Sequence, residues 1–381
     1  MRRKEMKKIV NSTIITPYRY LEGYDVAYEN GKIVKIGKDI ANCEEVLDAK
    51  GLFVAPGYID LHIHGGGGFS FIEEREEAVN HAMEEVVKHG VTSVLASHMV
   101  PVKKLNDLYQ EYMKKTDGPE IIGLHAECVD WAYIYGEPMN EGKEIPDYSV
   151  ERCEQILENI TMLKRIGIDP CIKGAAEITR YFVSKGVSVS ISHCGPADYD
   201  QVMKCVEAGA NSATHLYTGM FGFYRDEQTG ERFPGLIEDC LLEPDLYAEV
   251  IGNGKHLTGP MLDLIYKSKG VSKMYLTTDA APRKEPFAEG EPMVIPNRLP
   301  NRISIKTMAP MDYIVQQTYK CSNIPLLDVI RMATLTPAQM MKINDRKGKI
   351  AEGYDADFVF LDKELNVKAV IARGKVCKNL N

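Results

Sequence analysis

No apolar run in the chain approaches the roughly 18 residues that a membrane-spanning helix needs, although 44% of its 381 residues are hydrophobic. Paired cysteine spacing is missing too. The nine cysteines are scattered and odd in number, which reads as reduced thiols packed as small core residues in a cytoplasm rather than a disulfide framework. The first residues, MRRKEMKKIV, are basic but carry no apolar stretch of the kind an export signal requires, and a cytoplasmic location is expected. Nor is there a surplus of positive charge. A net charge of −8 argues against a nucleic-acid partner, which asks for a basic face. Internal repeats and low-complexity segments are absent. What is left, with 26% charged residues, is a soluble globular chain long enough for one large core and something smaller.

The texture of the sequence changes at Pro56. Before it lie short β-like pieces, STIITPYRYLEG, YDVAYENGKIVKIGK and EEVLDAKGLFVAPG, with a hairpin signal at Asn30-Gly31. After it, apolar strands alternate with longer amphipathic segments such as Glu73 to His89 and Ser149 to Ile166. The expected strands are GYIDLHIH, TSVLAS, EIIGLHAE, PCIKGAAE, VSVSISHC, NSATHLY, YAEVIGNG and KMYLTTDA. Eight β-then-α units predict an α/β fold, a (β/α)8 TIM barrel over residues 56–345. The tail from residue 346 returns to β texture, so residues 1–55 and 346–381 are expected to form one small β-sandwich from both ends of the chain.

A barrel of this kind carries its chemistry at the C-terminal ends of its strands. Those ends read His62 and His64, Ser97-His98, Glu127, Glu177, His193, His215, Asn253 with His256 just beyond, and Asp279. In APGYIDLHIHGGGG, His62 and His64 are two residues apart on a strand and share a face, with Leu61 and Ile63 on the other. Two neutral imidazoles converging on one point suit a metal ion, and a glycine run lets the backbone take positive φ and approach a ligand. Histidines and carboxylates gathering on one rim therefore predict a divalent metal site.

The series PGYIDLHIHG, GLHAE, SISHCGPAD, ATHLYTGM, NGKHL and TTDA resembles the amidohydrolase superfamily, and within it the N-acetylglucosamine-6-phosphate deacetylases. The similarity runs from the split sandwich through MATLTPA to GKIAEGYDADFVFLD. The resemblance implies that Glu127, His193 and His215 hold one divalent metal (Zn, Fe or similar), that His62 and His64 complete a second site beside Glu127, and that Asp279 is the catalytic carboxylate. It implies hydrolysis of N-acetylglucosamine 6-phosphate to glucosamine 6-phosphate and acetate by a cytoplasmic homodimer, with a phosphorylated amino sugar as small-molecule partner and neither nucleic acid nor membrane. The chemistry is consistent with this: a divalent ion brings the pKa of a bound water to near 7 and polarises an amide carbonyl, and a carboxylate that takes the water's proton can return it to the leaving amine.

The same resemblance sets Arg232 and His256 where family members contact the 6-phosphate, the arginine coming from a neighbouring subunit, with Arg225 a nearby substitute. Thr218 and Gly219 replace the family's Asn-Ala beside the substrate. Lys173, on the expected fourth strand, stands where many amidohydrolases carry a bridging carboxylated lysine, a duty Glu127 already covers. Glu177, His98, His81 and His89 are expected to be structural, Cys128 and Cys194 to be core thiols, His125 to orient a ligand or substrate, and Trp131 either to line the pocket or to pack. The chain departs from the family after Glu127, where AECVDWAYIYGEPMNEGKE replaces a Gly-Pro start, and at IKTMAPMDY. Two alternatives stay open: the same centre acting on another amide (a cyclic amide, an N-acyl-amino acid or a different N-acyl amino sugar), and a non-catalytic paralogue that binds a metabolite.

Overall fold

A computed structural model describes residues 6–98, 103–127, 149–192, 197–282, 292–294, 303–305 and 309–380. Its centre is a parallel sheet of eight strands: β1 (Tyr58–Ile63), β2 (Val91–His98), β3 (Glu120–Ala126), β4 (Leu163–Ile168), β5 (Ser188–Ile191), β6 (Ser212–Ala213), β7 (Tyr247–Val250) and β8 (Met274–Leu276). Each strand pairs with the next in the chain. The sheet closes on itself just past β8, where Asp279 N–H donates to His62 O at 2.8 Å and His64 N–H to Ala280 O at 3.1 Å. The interior at the N-terminal end is filled by Ile59, Leu61, Leu95 and Tyr275 packed on Ala338 and Met340.

Helices flank the barrel: α1 (Glu76–Lys88), α2 (Lys103–Lys115), α3 (Val150–Asn159), α4 (Ala175–Ser184), α5 (Tyr199–Glu207), α6 (Leu236–Leu242), α7 (Gly259–Lys269), α8 (Met311–Cys321), α9 (Leu326–Met332) and α10 (Leu335–Met340). In α1 the buried residues Ala78, Val79, Ala82, Met83, Val86 and Val87 recur every three to four positions, and acidic residues open the helix while Lys88 closes it. The chain then turns at Gly90, whose φ of +89° and 2.7 Å clearance to Tyr58 Cδ2 leave no room for a side chain. Among the described residues no helix is long and apolar enough to cross a membrane.

Two points differ from the sequence reading. The fourth strand is LKRIGI, so the helical segment expected from Ser149 to Ile166 ends at Asn159 and its last residues belong to β4, whereas PCIKGAAE forms a loop and the first turn of α4. Lys173 and Glu177 are exposed there, so neither the bridging lysine nor a carboxylate ending strand four survives. In β1 the strict alternation is broken, since the steps from Asp60 to Ile63 lie against the shorter span from Val94 to Ala96. This bulge lets Leu61 pack in the barrel interior while His62 also turns inward.

The two ends of the chain meet in a pair of sheets. One sheet runs in the order Lys32–Gly37, Asp25–Glu29, Lys7–Val10, Glu45–Asp48; the other runs Lys375–Lys378, Val367–Ala372, Phe358–Leu361, Phe53–Pro56, Thr13–Ile15, Tyr20–Glu22. Asn30 and Gly31, at φ 50° and 76°, make the expected tight hairpin turn. The sheets share a core that includes Ile9, Val26, Tyr28, Val54, Phe358 and Phe360. A buried ion network ties this unit to the barrel: Lys347 reaches Asp357 at 2.7 Å, Glu120 at 3.0 Å and Asp355 at 3.1 Å, and Arg346 bonds Glu120 and Asp355. Glu120 begins β3, so the C-terminal segment grips the floor of the barrel.

Removing one partner of a buried ion network leaves charges unpaired, which costs about 3–5 kcal/mol. Lys347→Met is expected to lower the unfolding free energy by about that amount in urea titrations. A loss under about 1 kcal/mol, the level of an exposed ion pair, would refute the network's role.

Candidate metal centre

At the C-terminal mouth of the barrel, β1, β3, the turn after β6 and the turn after β8 each present a side chain to the same small volume. His62, His64, Glu127 and Asp279 offer donor atoms all within 4.8 Å of one another. His64 Nε2 is 3.1 Å from Asp279 Oδ1 and 3.4 Å from Glu127 Oε2. His62 Nε2 is 3.3 Å from Asp279 Oδ1 and 3.6 Å from Glu127 Oε2. His215 Nε2 joins from the far side, 3.3 Å from Glu127 Oε1. His62, Glu127 and His215 are buried, whereas His64 and Asp279 keep 17% and 19% of their side-chain surface exposed. The cup therefore opens over that pair.

Local backbone holds these groups in place. Glu127 N–H donates to His98 O at 2.7 Å, and its own carbonyl accepts from Ser192 Oγ at 3.0 Å. The glycine run after His64 works sterically. Gly65, at φ +152°, and Gly66 pair with Phe69 and Ser70 in a tight hairpin, and a side chain on Gly65 would meet Phe69 O at 2.2 Å and Pro282 at 2.7 Å. His64 O then accepts from Phe71 N–H and Ser70 Oγ. The run folds back on its own strand, which answers the glycine pattern without a ligand. Asp279 and His215 both adopt positive φ, 49° and 28°. Such backbone is costly for residues with a side chain and concentrates at functional sites.

Electrostatics separate the histidines of this region. Burial opposes a charge on His62, but Asp279, Glu249 and Glu127 outweigh it and hold its pKa well above the ordinary value. Against the same burial, hydrogen bonds to Asp279 and Glu127 raise His64 to about 9. Asp279 is held below its ordinary range; burial works the other way and is outweighed by His62 and His64. His125, buried beside His62 with ring centroids 4.7 Å apart, is pushed well down by burial and by Arg165, and its Nδ1 sits 3.0 Å from Ser97 Oγ. His98 points away from the cup, its Nε2 2.6 Å from the Tyr109 hydroxyl, and burial takes its pKa to about 3.

This donor set fits a divalent cation of the zinc, iron or manganese type, which takes imidazole and carboxylate together. His62 Nε2 is fully buried, makes no hydrogen bond among the described residues and faces Glu127 and Asp279, the position of a ligand nitrogen once a metal displaces its proton. Asp279, expected only as the catalytic carboxylate, also lies within the cluster.

The remaining sequence candidates fall in three groups. His193, Cys194, Cys128 and Trp131 lie outside the described residues. Thr218 and Gly219 form the half-buried turn after β6, where Thr218 N–H donates to His215 O at 2.8 Å. His256 is folded onto Asn253, whose Oδ1 accepts the His256 backbone N–H at 2.8 Å. Arg232 stands apart from the cup's contacts. It is exposed on a short hairpin paired with Arg225, beside the exposed rings of Phe223, Tyr224 and Phe233, and among the described residues it makes no ion pair. His81 bonds to helix neighbours and His89 to Asp312, both structural. Sequence reasoning missed Glu249, Arg165, Tyr275 and Asp60, all buried around the cup's base. The signal was available: a charged residue inside an apolar strand, as in YAEVI, LKRIGI or GYIDL, must find a buried partner.

The chain is similar to known proteins along most of its length. The profile of the Amidohydrolase family matches residues 53–168 and 261–377. The N-acetylglucosamine-6-phosphate deacetylase of Lysinibacillus sphaericus is 28% identical over 387 residues, covering 97% of each chain. The Homo sapiens enzyme of the same name is 26% identical over 364 residues, 87% of this chain and 85% of that one. Among solved structures, the N-acetylglucosamine-6-phosphate deacetylase of Pasteurella multocida superposes with a TM-score of 0.82 at 24% identity, covering 98% of this chain and 100% of that one.

Because metal ligands must be deprotonated, a metal has to displace the protons that His62 and His64 carry in the metal-free chain. With His64 near 9 and His62 raised as well, the sign is fixed: zinc binding at pH 7 releases protons, and apparent affinity climbs with pH at least up to about 9. Calorimetric titration in buffers of different ionisation enthalpy measures the release. Binding with no proton release and no pH dependence below 9 would remove both histidines from the centre.

Proposed function

The chain belongs to the amidohydrolase family, and from that premise we propose that it is a metal-dependent deacetylase that converts N-acetylglucosamine 6-phosphate to glucosamine 6-phosphate and acetate. The observation that carries this reading is the cup itself: two histidines, Glu127 and Asp279 with donor atoms inside 4.8 Å at the mouth of the barrel. Glu127 with His193 and His215 would hold one divalent ion, and His62 with His64 a second beside Glu127. When bound, such an ion makes water acidic near neutral pH and polarises the acetamide carbonyl. Asp279, ionised at neutral pH by its two histidine neighbours, accepts the proton of the attacking water. It then returns that proton to the sugar nitrogen as the C–N bond breaks and the new C–O bond leaves with acetate. The partial exposure of His64 and Asp279 marks the side from which the acetamide enters.

Arg232 and His256 are the phosphate contacts in this reading, with Thr218 and Gly219 along the sugar. A guanidinium is a bidentate match for phosphate, and that of Arg232 is exposed without an ion-pair partner among the described residues. The exposed aromatic rings around it support a second copy of the chain across that hairpin, a homodimer in which Arg232 reaches a neighbouring cup; the same reading places the enzyme in the cytoplasm, as its unpaired cysteine spacing suggests.

The deciding experiment is acetate release from N-acetylglucosamine 6-phosphate by metal-loaded protein; no release above the metal-free control would overturn the substrate and promote another amide. Asp279→Asn is expected to lower turnover by about 10²- to 10⁴-fold with metal content retained, and a loss under tenfold would withdraw its proton-transfer role. Arg232→Ala is expected to lower kcat/KM on the phosphorylated sugar roughly 10-fold or more, from a charge-assisted contact of about 1.5–3 kcal/mol, while leaving the unphosphorylated sugar unchanged. Equal losses on both sugars would reject phosphate contact.

A further inference from the structure

Beneath the cup lies a buried ion pair that the reaction as derived above does not use. Glu249 on β7 and Arg165 on β4 are both fully buried. Arg165 Nη1 bonds Glu249 Oε2, and the Tyr275 hydroxyl donates to the same oxygen at 2.7 Å. The second guanidinium nitrogen reaches Thr214 Oγ1 at 3.3 Å and Ser212 Oγ at 3.5 Å. An ion pair in such a place is weak evidence for stability, because a well-packed apolar pair of the same volume is commonly as stable or more so. The neighbouring interior is in fact apolar, built from Ile59, Leu61 and Leu95.

The other carboxylate oxygen shows what the pair is for. Glu249 Oε1 lies 2.8 Å from His62 Nδ1 and also accepts the backbone N–H of His215 at 3.2 Å. One oxygen thus touches a histidine ring on one side of the cup and the backbone of a second histidine on the other. A carboxylate only accepts, so a hydrogen sits on His62 Nδ1, which leaves Nε2, directed at Glu127 and Asp279, as the nitrogen that gives up its proton when a metal binds.

We propose that Glu249 is the positioning residue of the metal centre, fixing through one oxygen both the tautomer and ring orientation of His62 and the backbone of His215, with Arg165 as its fixed counter-charge. The proposal rests on the metal-dependent reading given above and assigns a role that neither histidine can supply for itself. Hydrogen-bond partners behind metal-binding histidines set ligand orientation, and their loss typically costs about 10- to 100-fold in metal affinity.

The test pairs folding with metal binding. Arg165→Met/Glu249→Leu removes both charges together and leaves no buried ion unpaired. The double variant is expected to melt, metal-free, at or above the wild-type temperature, while its zinc dissociation constant rises about 10- to 100-fold. A lower melting temperature with unchanged zinc affinity is the signature of a merely structural pair and would overturn the proposal. Independently of any variant, long-range proton–nitrogen correlation spectra of the zinc-loaded wild type are expected to show His62 protonated at Nδ1; a proton on Nε2 would overturn it equally. Zinc binding by a wild type that releases no acetate would reject the substrate and leave the role of Glu249 standing, so the two readings fail separately.

Discussion

Closure of the barrel between its first and last strands is the constraint from which the site follows. Asp60, fully buried, accepts the hydroxyls of Thr277 at 2.8 Å and Thr278 at 2.6 Å and the backbone N–H of His62 at 3.2 Å. The backbone of His62 and His64 then bonds to Asp279 and Ala280 across the same seam. Two strands far apart in sequence are stitched along the very residues whose side chains face the cup. The histidine pair and the carboxylate opposite it are neighbours because the sheet has no open edge at that point.

Within a few ångströms, buried histidines are driven in opposite directions. His62 and His64 sit among carboxylates and hold protons tightly. His125 and His98, just as buried but facing a hydroxyl or a guanidinium, stay neutral. Burial alone pushes every imidazole toward neutrality, so the difference comes from which charges converge on each ring. The cup concentrates negative charge against histidines, an environment that protons and divalent ions compete to neutralise. The interior beside it does the reverse and keeps its rings as fixed packing and hydrogen-bonding groups.

Much of this was legible in the sequence because it is local. The His-x-His pair, Glu127, His215 and Asp279 all end strands whose apolar character is plain, and the alternation of strands and helices announced the barrel. The errors have a common origin in long-range pairing. Leu163–Ile166 falls in the stretch from Ser149 that the sequence pattern assigns to a helix, and the partner that makes it a central strand, Glu249 for Arg165, lies across the barrel. The bulge at Leu61 and His62 belongs to the register with β2, which no pattern within β1 reveals. The glycine run was legible as a special turn, but its reason, the contact with Phe69 and Pro282, appears only in the folded chain.

The split sandwich has a consequence for how the chain comes into being. Phe53–Pro56 pairs on one side with Thr13–Ile15 and on the other with Phe358–Leu361. During vectorial synthesis the first of these partners is already present, while the second emerges only after the whole barrel. For that interval Phe53–Pro56 is an apolar strand with an open edge, the kind of surface that recruits other chains. Such a long-range contact is also slow to form, since the ends of a long loop must meet before any pairing is gained. The sandwich is therefore a late event, since the last strand to flank Phe53–Pro56 follows the whole barrel in the chain. Assembly of this protein is governed at its last step by the arrival of its C-terminal strands.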